Sequence, residues 1–123
     1  VRVRFSLEIE PIPLRLDLAV PCGMIVNELV ANALQHAFAE DRPGEITIAF
    51  GRDEQGYCIT VADNGVGMDR EPADDEATSI GLKVVRALTR QIHGRLDHSC
   101  EKGTMFTIHF HNPEQQPPAA EKA

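Results

Sequence analysis

Apolar and polar residues alternate from the first position. Val1, Val3, Phe5, Leu7 and Ile9 fall on one side of an extended chain, and Arg2, Arg4, Ser6 and Glu8 on the other. That period of two predicts a half-buried strand over Val1–Ile9. Pro11 and Pro13 break the run. Leu14, Leu16 and Leu18 alternate again, predicting a short second strand. Pro21 sits where a helix can begin, since its missing N–H is no loss in a first turn. From Cys22 to about Ala39 the pattern is helical, closed by Pro43 and Gly44. Ile46, Ile48 and Phe50 mark a strand over Glu45–Gly51, and Tyr57–Ala62 is the next, joined through the turn Asp53–Gly56. Asp69–Ser79 has no period and reads as a loop. Ile80–His93 is a second helix with Val85, Leu88 and Ile92 on one face and Gly94 as its stop. Arg95–Cys100 and Thr104–His111 form a last strand pair, with Phe106, Ile108 and Phe110 pointing inward.

The predicted order is β-β-α-β-β-α-β-β. Strands that come as hairpins make a mixed, mostly antiparallel sheet, and two helices on one face complete a two-layer α/β sandwich. Residues 1–111 form one domain, and the Pro- and Gln-rich stretch 112–123 reads as a disordered tail or linker.

Composition narrows the function classes. The length of 123 residues fits a single core, and 42% hydrophobic residues fits a globular chain. A net charge of −7 argues against a general nucleic-acid surface but leaves room for one bound nucleotide. No signal peptide or run of about 18 apolar residues is visible, so no membrane contact is expected of this segment; the setting expected is cytoplasmic, whether the full-length protein is soluble or membrane-anchored. Cys22, Cys58 and Cys100 lack metal or disulfide spacing and read as small hydrophobes in a reducing compartment.

The first helix carries candidate chemistry. Projected at about 100° per residue, Glu28, Asn32, Gln35 and His36 share one arc, with Ile25 as an apolar intruder. Val26, Leu29, Val30, Ala33, Leu34 and Ala37 lie opposite. A solvated helix face favours Glu and Lys pairs, and this one has neither Lys nor Arg. Asn is a poor helix former, yet Asn27 and Asn32 both occur. An Asn carbonyl suits Mg²⁺, a neighbouring Glu can hold a water or take a proton, and His36 can donate to a phosphate oxygen. After the third predicted strand comes Asp63-Asn64-Gly65-Val66-Gly67-Met68. This is a common turn string; it is equally a carboxylate that accepts from an exocyclic amine beside a backbone opened for a flat ring. Gly81 opens the second helix, whose N-terminus attracts phosphate, and Lys83 adds a positive charge one turn in. Gly103-Thr104 opens the last strand. No Walker sequence is present.

Together "NELVANALQHAF", "DNGVGM", "SIGLKVV" and "GTMF" resemble the N, G1, G2 and terminal Gly-Thr boxes of the ATPase superfamily of gyrase, Hsp90, sensor histidine kinases and MutL. The chain is most similar to the catalytic ATP-binding domain of bacterial sensor histidine kinases whose helix reads Asn-Glu-Leu-x-x-Asn-Ala-x-x-His-x-Phe. The resemblance covers about residues 1–111 and implies a Bergerat-type fold binding ATP and Mg²⁺. By position, it implies that Asn32 holds Mg²⁺ against the triphosphate and that Glu28 orients a water or acts as base. His36 contacts phosphate. Asp63 reads the adenine amine, with Gly65, Gly67 and Met68 shaping the base pocket. Ser79, Gly81, Leu82 and Lys83 lie near the phosphates, and Thr104 sits beside the adenine-reading acid.

This chain departs from the family pattern in three places. Ser79 replaces the first Gly of a Gly-x-Gly-Leu box. The loop Asp69–Ser79, in the place of the ATP lid, is short and carries Asp69, Glu71, Asp74, Asp75 and Glu76 against Arg70. There is no Trp, which sets it apart from a sister subfamily with a Trp-x-Glu motif. The implied partners are a helical dimerisation segment bearing the phosphoacceptor histidine and a response regulator. None of the chain's five histidines (His36, His93, His98, His109, His111) heads a long amphipathic helix with an adjacent acid. The rival readings are an anti-sigma-type serine kinase, an ATP-hydrolysing module of the gyrase or chaperone type, and a scaffold that binds no nucleotide.

Overall fold

The computed structural model describes residues 3–37, 43–54, 56–65, 80–100 and 103–111, with only the backbone of His36 and Ala37. The expected tail 112–123, the loop 69–79, Gly67 and Met68 lie outside the described residues. Five strands form one sheet in the order β1-β2-β3-β5-β4. They are β1 (Val3–Ile9), β2 (Gly44–Asp53), β3 (Gly56–Asp63), β4 (Arg95–Ser99) and β5 (Thr104–Phe110); the helices are α1 (Leu16–Asn32) and α2 (Ile80–Gln91). The pair β1–β2 is parallel, and the other pairs are antiparallel. The mixed two-layer sandwich is as expected.

The short strand at Leu14–Leu18 does not form. The helix begins at Leu16, not Cys22, and Pro21 lies inside it. Alternating leucines describe positions 14–18 as well as a strand would, but Leu18, Cys22, Ile25 and Leu29 repeat at helical spacing and all are buried. Arg15 stays extended before the first turn and its guanidinium grips Asp17 at 3.1 and 3.2 Å. Asp17 in turn complements the positive end of the helix. Pro21 has no N–H for the carbonyl of Asp17, a loss the packing of its buried ring offsets. The described helical stretch Leu16–Gln35 has a mean hydropathy of 1.2, so by length and composition it does reach what a membrane span needs. Its buried side packs in the core of the sandwich instead.

Paired residues share a face of a sheet. One face therefore carries Ile46, Tyr57, Ile59, Val61, Phe106, Ile108 and Phe110, all buried. The helices cover this face: α1 packs against α2 and β3, and α2 also against β4. The first strand is a correction. Phe5, Leu7 and Ile9 do point to the helix side, pairing with Ile46, Ile48 and Phe50. They nevertheless remain 48%, 64% and 51% exposed, because β1 is the edge strand and the helix layer lies over the strands beyond β2.

The end of α2 is a second correction. The left-handed residue is His93, at φ 57°, not Gly94. Gly94 donates to the Thr89 carbonyl at 2.8 Å, and a Cβ there would collide with the carbonyl of His109. Gly94 is needed for close approach, while the preceding residue turns the chain.

Candidate nucleotide site

Chain direction gathers the four motifs at one end of the sheet. α1 runs back from the far end of β1 and finishes at Asn32, on the return to the start of β2 at Gly44. Near that start of β2, Ile46 pairs with Asp63 at the end of β3, and Asp63 pairs with Thr104 at the beginning of β5. α2 finishes beside the end of β5, so its first turn, with Gly81, returns toward the same end.

Asp63 is half-buried and Thr104 is buried, side by side on the helix-facing surface. The Gly65 N–H donates to Asp63 Oδ1 at 2.9 Å, folding the DNG stretch back onto its own acid. The turn reading and the ligand reading of this string are thus compatible: the turn fixes one carboxylate oxygen. Burial pushes the Asp63 carboxyl above its ordinary 3.8, and the backbone N–H groups of Gly65 and Thr104 pull the other way. Across the strands Gly103, at φ 88°, lies so close to Asp63 that a Cβ would overlap the Asp63 carbonyl oxygen. The terminal Gly-Thr box therefore serves two purposes. Gly103 lets the chain pass, and Thr104 stands opposite the acid.

Asn64 is a residue the sequence reading did not assign. Its Oδ1 accepts from the Glu45 N–H at 2.8 Å, and its own N–H donates to the Glu45 carbonyl at 3.2 Å. This clasp anchors the chain directly after Asp63 to β2. An Asn following a strand-ending acid was the available signal, since its short amide readily bonds nearby backbone.

The helix projection needs correcting. Ile25, the supposed intruder in a polar arc, is wholly buried, and Asn32 is buried with it. Leu34, assigned to the core side, is 45% exposed. The inward stripe is Leu18-Cys22-Ile25-Leu29-Asn32, so the Asn continues the apolar face rather than opposing it. Glu28 is half-buried, one turn before Asn32, and Gln35 is exposed. Residues Ala33–Ala37 then open into a π-helical turn. Such widened turns rotate the helix register and concentrate at functional sites. His36 lies in that turn; Ser79 lies outside the described residues. Gly81 is half-buried, Leu82 buried and Lys83 exposed.

Among the described residues the buried amide nitrogen of Asn32 has no hydrogen-bond partner. Buried amides are nearly always satisfied, so this one fits a ligand that accepts from its nitrogen. Among the described residues no group of three or more His, Cys, Asp or Glu could hold a metal ion.

Residues 19–114 match the family described as histidine kinase-, DNA gyrase B- and HSP90-like ATPases. The chain belongs to that ATPase family. It is 33% identical over 92 residues to the sensor histidine kinase PdtaS of Mycobacterium tuberculosis, a match covering 72% of this chain and 18% of that protein. It is 52% identical to the serine-protein kinase RsbW of Bacillus cereus over 44 residues, covering 36% of this chain and 27% of RsbW. In structure it is similar to the histidine kinase domain of a blue-light-activated histidine kinase from Erythrobacter litoralis. The TM-score is 0.82 at 23% identity, over 92% of this chain and 53% of the other. The chain thus spans under a third of the length of either sequence relative. As a histidine kinase-like ATPase domain, it binds ATP.

Proposed function

We propose that this domain is the ATP–Mg²⁺-binding catalytic part of a sensor histidine kinase. It phosphorylates a histidine on a helical dimerisation segment, from which the phosphoryl group passes to a response regulator. One observation carries the site assignment: a half-buried carboxylate, fixed by a backbone N–H, at the same end of the sandwich as a buried amide that lacks a partner among the described residues.

Each residue then has a task. Asp63 accepts from the adenine amine, and its raised carboxyl is suited to a site that water leaves when the base arrives. Thr104 holds the opposite side of the acid. Gly65, with Gly67 and Met68, borders the ring. Asn32 gives its amide nitrogen to a phosphate oxygen and its oxygen to Mg²⁺, and His36 donates to phosphate. The metal, when bound, neutralises triphosphate charge. The first turn of α2, with Gly81 and Leu82, faces the phosphates, Ser79 contributes from the preceding sequence, and Lys83 adds long-range attraction. Glu28 orients a water or takes a proton. Positioning and charge neutralisation are the principal catalytic effects.

Calorimetry tests the assignment. Asp63→Asn should lose ATP affinity with or without Mg²⁺, whereas Asn32→Ala should lose the Mg²⁺-dependent part. Unchanged affinity in both variants rejects the site. The RsbW identity supports a second reading, serine phosphorylation of a partner protein. Phosphohistidine is acid-labile and phosphoserine is not. Label that survives acid on the acceptor decides for the second reading.

A further inference from the structure

A groove of about 750 Å³ runs between α2 and the edge strand β4, from Leu82 at the nucleotide end to Gly94 at the other. Arg86 and Arg90 rise from α2 one turn apart, and Arg95 stands at the start of β4. Among the described lining residues these three arginines stand against one acid, Asp97, which contacts Arg95 and His109 at 3.4 Å each, on a chain whose net charge is −7. The floor is apolar: Leu96 and Phe106 line it, and the His98 ring stacks on Phe106 with centroids 4.6 Å apart.

Among the described residues β4 pairs with β5 alone and the sheet order ends there, which leaves the other side of this strand open. An edge strand presents a row of N–H and C=O groups ready to pair with another chain. An edge with a helix running alongside is a recurring way to seat an extended peptide: main-chain bonds give affinity and flanking side chains choose the sequence.

We propose that this groove binds an acidic peptide of a partner protein in extended form, as a sixth strand on β4. Carboxylates at alternate positions reach Arg86 and Arg90 on the helix side, their methylene stems lying over Leu96, and the side chains between them face the opposite surface of the sheet. The open backbone edge and apolar floor favour a peptide over a free anion, and the three arginines select its charge. This inference does not depend on the nucleotide reading.

A fluorescein-labelled eight-residue Glu-Val repeat serves as probe, titrated with the 123-residue chain and followed by anisotropy. Saturable binding is expected, with no binding of a Lys-Val repeat. Arg90→Glu, an exposed change that leaves the core intact, should weaken it about tenfold, and Arg86→Glu/Arg90→Glu further, as loss of charge-assisted contacts predicts. ATP affinity should be the same in these variants as in the wild type. N-methylation of alternate peptide nitrogens should cost about tenfold or more, because it removes strand pairing. Absence of saturable binding overturns the proposal. So does equal affinity for the Arg90→Glu variant or the N-methylated peptide, and so does displacement of the probe by equimolar inorganic tripolyphosphate, which marks a simple anion site.

Discussion

The two ends of the β3–β5 ladder use the same pairing for opposite purposes. At one end Tyr57 faces Phe110, with ring centroids 5.3 Å apart, and Phe50 stacks on Tyr57 at 5.9 Å. All three look toward the helices. At the other end, on the same face, Asp63 stands opposite Thr104. The aromatic end buries large apolar area and satisfies itself. The polar end holds a carboxyl that burial penalises, at the same end as an amide that has no partner among the described residues. Each polar feature costs stability by itself. The contrast shows where the domain is held together and where it keeps interactions open for a ligand.

Breaking the aromatic end should have the largest effect on stability. Phe110→Ala removes a ring that is 2% exposed and should cost about 3–5 kcal/mol in denaturant unfolding. The fraction still folded should keep its ATP affinity. At the polar end the effects should invert. Asp63→Asn should lower ATP affinity about 10- to 100-fold, the worth of a hydrogen bond to a charged group, while the unfolding midpoint stays level or rises. Calorimetry and a urea titration on the same protein check both parts. Asn32→Leu keeps similar volume and removes the orphan amide. It should abolish Mg²⁺-dependent binding and raise stability by about 1 kcal/mol.

The smallest effect is in pH. The folded Asp63 carboxyl lies above its ordinary 3.8, so the folded state holds this proton more tightly than the unfolded one. Its contribution is therefore fully present below the ordinary value and is lost as pH rises through the raised one. Stability of the wild type relative to Asp63→Asn should fall across that window. A flat difference would show that the carboxyl is not desolvated.

Most of the ladder could be read from the chain. Period-two alternation located β2, β3, β4 and β5 to within a residue or two, and Asp63 closed β3 as expected. The candidate site was legible because its residue types are expensive where they stand: an acid at a strand end, a mid-helix Asn, a glycine ahead of a buried threonine. Glu28, Gly81, Lys83 and Thr104 fall on the elements expected for them. Less legible were features set by contact between distant segments. The Asn64–Glu45 clasp joins residues 19 positions apart, and no local pattern names its partner.

Residue order alone determined which segments extend, which coil and which carry chemistry, because alternation, helical spacing and costly residue types are local properties. Tertiary packing decided the rest. It began α1 at Leu16, since the core needed Leu18 in line with Cys22, Ile25 and Leu29. It turned Asn32 inward, left Phe5, Leu7 and Ile9 uncovered at the sheet edge, and put the left-handed turn on His93 so that Gly94 could pass His109. A side chain's periodicity states which neighbours on its own element share its side; only the position of other elements settles whether that side meets protein or water.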